Sequence, residues 1–181
     1  MKKGLLFFLY FIIAFTWPAS LLAKVYVTKE EALKFAFQEV DTIDKKVVFL
    51  SGEEQKRVEL LAKAKLDTRI FTFYIGKKGE NILGYAVFGS HVVRTKPEVY
   101  MVVINPDATI KNVHILAFHE PEEYLPPRRW FEQFVGRVLD DALWPKRGIR
   151  AVSGATLSVN GITQEIRKAL AVFQLMLLKE R

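Results

Sequence analysis

Three hydroxyl side chains lie close together in the segment AVSGATLSVNG, just before a long amphipathic run near the C-terminus. They belong to Ser153, Thr156 and Ser158, and they surround the small residues Gly154 and Ala155. A hydroxyl at the start of a helix can accept a hydrogen bond from the first turn, so Thr156 or Ser158 could be a simple helix cap. The free N–H groups and the dipole of the same helix end could instead bind a phosphate, which a Gly-Ala pair would let approach closely. The residues alone leave both interpretations open.

Helices are predicted near the N-terminus and in the C-terminal part of the chain. Apolar residues recur at intervals of three and four from Val159 to Leu177, which predicts a C-terminal helix with one buried stripe. Near the N-terminus, Thr28 and Glu31 have the spacing of a capping box, and a second helix is expected to begin at Ser51. A further helix is predicted over residues 129–143, with a largely apolar side formed by Trp130, Phe131, Phe134, Val138 and Leu143.

Strands are predicted between these helices, in stretches rich in β-branched and aromatic residues that turn sequences separate. They cover residues 68–75, 82–89, 98–104 and 109–118. Because the turns are short and no helix intervenes, the strands are expected to pair antiparallel. The predicted fold class is α+β, with an antiparallel sheet of about four or more strands packed with N-terminal helices and a long C-terminal helix.

The beginning of the chain has the composition of a secretory signal. Two lysines precede an uncharged apolar stretch that is followed by the helix breaker Pro18 and the small residue Ala23. Retention as a membrane anchor is the alternative, and in both cases the rest of the chain is expected on the extracytoplasmic, periplasmic side. The predicted divisions are 1–23 as signal peptide or anchor, 24–67 as an N-terminal helical segment and 68–181 as the main domain.

Composition excludes several kinds of site. The sequence has no cysteine, which excludes disulfides, thiolate metal sites and iron–sulfur clusters. The histidines His91, His114 and His119 are poorly placed to share a metal, so no metal site is expected. Neither a Gly-rich phosphate loop nor a Ser-His-Asp set is present, so no catalytic residue is assigned.

The basic excess of the chain is local. The net charge is +7, and its cations cluster around Arg128 and around the segment from Lys146 to Arg150. These cations form either a solvated surface or the partner of a nearby anion, such as a phosphate or an acidic redox protein. Nucleic acid is not an expected partner of an exported chain.

The residues SGAT at 153–156, followed by Leu157, Ser158 and the C-terminal helix, resemble the attachment motif of the FMN-binding domain family. That family includes the extracytoplasmic flavoprotein subunits of the Rnf and sodium-translocating NADH:quinone oxidoreductase complexes. The resemblance covers approximately residues 70–181. It extends to residues 119–137, which are similar to the family's loop and Phe-x-x-Phe-x-Gly helix beside the flavin.

The resemblance implies that FMN is linked through its phosphate to Thr156 by a flavin transferase that uses FAD as donor. Glu120 is implied as a flavin contact, with a solvated acid of the loop as the alternative. Arg150 stands where the family usually has an aspartate, and it could itself contact the phosphate. The remaining implied cofactor-binding residues are Ser153, Gly154, Ala155 and Ser158. Candidate neighbours of the flavin ring, or else core residues, are Tyr124, Trp130 and Trp144.

The function that this resemblance implies is electron transfer by an exported FMN carrier rather than by a stand-alone enzyme. Its expected partners are membrane-bound or extracytoplasmic redox proteins, together with the flavin transferase for maturation. Non-covalent FMN is an alternative mode of attachment. A flavin-dependent reductase acting on a small acceptor and a flavin-free binding or assembly subunit are alternative functions, and the second follows from the presence of Arg150.

Overall fold

The computed structural model describes residues 24–178, so the predicted signal or anchor segment lies outside the described residues. Across the described range, no helix has both the length and the apolar character needed to cross a bilayer. The elements in chain order are β1 (Lys24–Val25), α1 (Lys29–Ala36), β2 (Thr42–Phe49), α2 (Gly52–Ala62), β3 (Ile70–Lys78), β4 (Asn81–Val92), β5 (Pro97–Ile104), β6 (Ile110–Phe118), α3 (Arg128–Phe131) and α4 (Thr156–Met176).

The strands form one six-stranded sheet in the order β1-β6-β5-β4-β3-β2, and every neighbouring pair is antiparallel. The predicted α+β class is therefore confirmed. The meander from β3 to β6 corresponds to the predicted strands, whereas β1 and β2 are edge strands from the segment that the sequence indicated only as helical. In β2 the single buried residue is Val48, and such an exposed edge strand carries almost no apolar alternation.

Both N-terminal helices begin with a capping box, of which the one at Thr28 was predicted, whereas at Ser51 only the start of the helix was. The amide nitrogen of Thr28 lies 2.9 Å from Oε2 of Glu31, and the amide of Glu31 lies 3.3 Å from Oγ1 of Thr28. Ser51 and Glu54 make the same reciprocal pair at 2.8 and 3.2 Å. These bonds satisfy amides that a helix start otherwise leaves without partners, which fixes where α1 and α2 begin.

The larger core lies between the sheet and α4, with α2 packed beside it. The buried stripe of α4 includes Ile162, Ile166 and Phe173, all fully buried. The ring of Phe173 meets Tyr85 of β4 edge-on, with 4.7 Å between ring centroids. Burial of each such side chain stabilises the fold by about 1.5–3 kcal/mol, so α4 is anchored along most of its length.

The helix predicted over residues 129–143 is wrong in extent. Only α3 and a following 3₁₀ turn, Glu132–Phe134, are helical. Gly136 then adopts a φ of +75°, and its amide donates to the carbonyl of Ile110 at 2.8 Å. The chain leaves the helix because its backbone pairs with the start of β6. Four of the apolar residues that suggested a longer helix, Trp130, Phe131, Phe134 and Leu143, are nevertheless buried, whereas Val138 is exposed.

Candidate functional site

The first turn of α4 carries no side-chain cap. Ala155 is the N-cap residue, Thr156 is the first helical residue, and no side chain accepts a hydrogen bond from this helix start. The interpretation of Thr156 or Ser158 as a helix cap is therefore wrong. Gly154 has a φ of +85°, a conformation that glycine adopts without strain, and it turns the chain into the helix. The first N–H groups of α4 are thus left for solvent or an anion.

The three hydroxyls of the motif differ in their surroundings. Ser158 is fully buried, and its Oγ donates to the main-chain carbonyl of Tyr124. Ser153 and Thr156 are exposed. Ser158 therefore ties α4 to the preceding loop, and Thr156 is the hydroxyl that both begins the helix and faces a cleft.

The cleft beside Thr156 encloses about 570 Å³, within the range of cofactor sites. It lies between the start of α4, the end of α2 and the segment around residue 145. Its lining residues are Lys63, Trp144, Pro145, Lys146, Arg147, Ala151, Thr156, Val159 and Asn160.

The charge of this cleft is positive. Its lining contains the cations Lys63, Lys146 and Arg147 and no carboxylate. Asp141, outside the lining, accepts a hydrogen bond from Lys63 and lies 3.8 Å from the guanidinium of Arg147. The hydrogen bond from Lys63 holds the pKa of Asp141 below its ordinary value. Three cations next to uncapped helical N–H groups favour an anionic group such as a phosphate ester.

Lys63 was not predicted as a site residue. It follows α2 directly and has a φ of 53°, in the left-handed region. No local pattern links it to Thr156, because the two are brought together only when α2 packs against α4. The cations at 146 and 147, by contrast, belong to the basic segment that the sequence indicated as a possible anion partner.

Of the seven predicted site residues, only Thr156 lines this cleft, and the lining does not include Ser153, Gly154, Ala155, Ser158, Arg150 or Glu120. Arg150 has an exposed side chain, and its backbone is held by Trp130 and Gln133. Oε1 of Glu120 accepts hydrogen bonds from the amides of Thr95 and Lys96 at 2.6 and 2.8 Å. These bonds, that of Thr95 first, lower the pKa of Glu120. Glu120 thus closes the turn between β4 and β5.

The three aromatic residues that were candidate neighbours of the flavin ring lie in different surroundings. Trp130 is buried in the core, and the half-buried ring of Tyr124 lies under the guanidinium of Arg94 at 4.8 Å. Trp144 lines the cleft, and the guanidinium carbon of Arg167 lies 4.7 Å from the centroid of its ring. Of these aromatic residues, Trp144 is therefore the one placed beside Thr156.

A second cleft, of about 350 Å³, lies where β3 and β4 diverge. Its buried cation, Lys168, lies 2.9 Å from Asp67 and 2.7 Å from Glu165. Because these carboxylates balance the lysine, this cleft suits an anion less well than the cleft at Thr156. Within residues 24–178, no group of three or more side chains is arranged to hold a metal ion.

Part of this chain matches a known protein family, and its fold is similar to that of a solved structure. Residues 95–171 match the family model of the FMN-binding domain. The fold is similar to the crystal structure of NqrC from Shewanella oneidensis, with a TM-score of 0.56 and 17% sequence identity, over 86% of this chain and 91% of that one. No curated protein matches the chain. The matched region contains Thr156 and Trp144, whereas Lys63 lies before it.

Proposed function

Because residues 95–171 belong to the FMN-binding domain family, whose cofactor is FMN, we propose that the cleft at Thr156 holds this cofactor in an electron-transfer protein. The match over residues 95–171 confirms the family and the cofactor that the SGAT motif predicted. One observation supports the location of the phosphate: Thr156, at an uncapped helix start, opens into the same cleft as three cations.

The residues of the cleft fit the chemistry of FMN. A phosphate ester carries up to two negative charges, which Lys63, Lys146 and Arg147 can balance, and its oxygens can accept from the first N–H groups of α4. Trp144 offers an aromatic surface of the kind on which a planar ring system packs. Bound FMN supplies one- and two-electron redox chemistry, while the protein supplies its orientation and electrostatic surroundings.

The attachment that we propose is a phosphoester to Thr156. In the transfer step, the Thr156 hydroxyl attacks the FMN-side phosphorus of FAD and forms a new O–P bond. The bond between the two phosphates breaks, AMP leaves, and the hydroxyl proton is released to solvent or a base of the transferase. The exposure of Thr156 supports this step, because a separate flavin transferase must reach the hydroxyl. A covalent bond also prevents loss of the cofactor by dilution outside the cytoplasm.

We further propose that the chain is exported to the periplasm, where it is either released or held by its N-terminal segment. The basic and apolar composition of residues 1–23 supports export. The partners proposed are membrane-bound or extracytoplasmic redox proteins, with the flavin transferase acting during maturation. The fold shared with NqrC is consistent with such an arrangement.

The test is expression of the full chain with export and a flavin transferase, followed by fluorescence in denaturing gels and intact mass. The expected product carries the added mass of one FMN less water. Thr156→Val should remove the adduct, and Thr156→Ser should retain it in part. Mature, transferase-treated protein without the adduct would overturn covalent attachment, and binding of free FMN would then measure the non-covalent alternative.

The alternative functions are separated by two further readouts. Turnover of small acceptors by the flavin-loaded protein, in the absence of protein partners, would indicate a reductase. A correctly folded protein that neither bonds nor binds FMN would indicate a flavin-free assembly subunit.

A further inference from the structure

One buried charged side chain of α4 contacts a residue that lines the cleft. Arg167 of α4 is 1% exposed, although arginine is among the residues least often buried. Its Nε donates to the carbonyl of Ala62 at 2.8 Å, and Nη1 donates to the carbonyls of Asp140 and Leu143 at 2.5 and 3.3 Å. The acceptors are all main-chain carbonyls, so the side chain binds backbone from two separate segments.

These two segments each supply part of the wall of the Thr156 cleft, through Lys63 and Trp144. Ala62 ends α2 and directly precedes Lys63, while Leu143 directly precedes Trp144. The guanidinium also packs against the Trp144 ring, at 4.7 Å from its centroid. A single side chain thus fixes the backbone next to the cation and the backbone next to the aromatic ring.

We propose that Arg167 is a positioning residue for the cofactor: it sets the separation of Lys63 and Trp144, and its charge behind Trp144 favours added negative charge in the cleft. This inference rests on the proposed function of the cleft. It also assigns a role to the N-terminal segment, since α2 lies outside the matched FMN-binding region and yet leads into part of the wall of the site.

The energetics favour a fixed charge at this position. The carbonyl end of a helix carries partial negative charge, and the carbonyl of Ala62 belongs to the last turn of α2. Burial lowers the pKa of Arg167, but a guanidinium stays protonated at physiological pH. Its planar fork can reach carbonyls from two segments at once, which the single ammonium of a lysine cannot reproduce.

The test compares Arg167→Met and Arg167→Lys with a matched control, Lys168→Met. Lys168 is the next residue, is similarly buried, and pairs with Asp67 and Glu165 on another side of α4. Hydrogen exchange of the full chain without flavin should rise about tenfold over residues 62–66 and 140–148 in Arg167→Met, since buried hydrogen bonds of this kind are lost. Arg167→Lys should show a smaller rise, and Lys168→Met should show none in these two segments.

The flavin-loaded protein allows a second measurement, the midpoint potential of the flavin, which a purely structural role of Arg167 would leave unchanged. The midpoint potential of the flavin should fall in Arg167→Met and recover in Arg167→Lys, because the lysine restores the charge. An unchanged potential in Arg167→Met, or unchanged exchange in both segments, would overturn the proposal. If the wild-type chain took up no FMN, the proposed function would fail, while the exchange measurement would still test whether Arg167 holds the two segments.

Discussion

The indole nitrogen of Trp130 donates a hydrogen bond to the main-chain carbonyl oxygen of Arg150, 2.6 Å away. The amide nitrogen of Arg150 in turn donates to Oε1 of Gln133 at 2.9 Å. Both partners come from the short helical stretch after β6, and Trp130 is buried. The backbone at position 150 is therefore fixed by groups that do not depend on its exposed side chain.

Arg150→Asp should consequently leave the fold intact. We expect a change in the free energy of unfolding of no more than about 0.5 kcal/mol, as for most exposed positions. If the cation hinders the transferase, the yield of flavin-labelled protein should rise, as measured by intact mass. Arg129→Asp is the matched control, since Arg129 is also exposed but does not belong to the chain segment that leads directly into the motif. A rise of the same size in both variants would show a general charge effect instead.

Ser158→Ala should destabilise the protein by about 1–3 kcal/mol, because it leaves the carbonyl of Tyr124 without its buried donor. Ser153→Ala removes a hydroxyl of the same motif that is exposed, and should change stability by less than about 0.5 kcal/mol. Chemical denaturation of the two variants measures the difference. Equal stabilities would contradict an internal, structural role for Ser158.

The features that the sequence predicted correctly are those that depend on nearby residues. The capping box at Thr28 involves residues three positions apart, and the meander from β3 to β6 follows from apolar stretches joined by short turns. The SGAT motif identified the cofactor because it is contiguous. The interpretation of its hydroxyls as caps failed because Ser158 bonds to the distant Tyr124.

The features that were missed depend on how elements pack. Residues 129–143 are apolar at helical intervals, but their path follows the pairing of Gly136 with Ile110. The edge strand β2 is mostly exposed, so its residues lack the alternation that marks a half-buried strand. Lys63 reaches the cleft through the packing of α2 against α4, where Arg167 donates hydrogen bonds to the end of α2 and to the segment before Trp144. No spacing in the sequence encodes that contact.

The cations of the cleft should contribute to FMN binding through the phosphate. In a Thr156→Val background, where binding is non-covalent, the double change Lys146→Gln and Arg147→Gln should weaken FMN affinity by about tenfold to a hundredfold. The affinity for riboflavin, which has no phosphate, should change little. Flavin fluorescence titrations at two salt concentrations measure both, and the loss should be smaller at high salt.

The control for this experiment is the double change Arg128→Gln and Arg129→Gln, which removes the same charge from exposed positions outside the cleft. An equal loss of affinity in the control would indicate a nonspecific effect of net charge. An equal loss for riboflavin and FMN would contradict contact between the cleft cations and the phosphate.

A buried acid gives the protein a pH-dependent stability. Glu98 on β5 lies opposite His91 on β4, with 3.4 Å between Oε2 and Nε2, and it is completely buried. Among the described residues, neither side chain has a hydrogen-bond partner. Burial raises the pKa of Glu98 to about 8 and lowers the pKa of His91, so both groups are neutral in the native protein near pH 7.

Stability should therefore fall as the pH rises from 6.5 towards 8. Over this interval native Glu98 keeps a proton that the unfolded chain, with an ordinary glutamate pKa of 4.5, has already released. One proton corresponds to a slope of about 1.4 kcal/mol per pH unit, or roughly 3–6 °C in Tm for a domain of this size. Below pH 6.5 the unfolded chain protonates His91 and the native protein does not, so that contribution has the opposite sign and offsets the slope. Thermal melts of Glu98→Gln should show a flattened curve between pH 6.5 and 8, whereas Glu120→Gln, at an acid whose pKa is lowered, should keep the wild-type slope. A wild-type slope in Glu98→Gln would exclude Glu98 as its source.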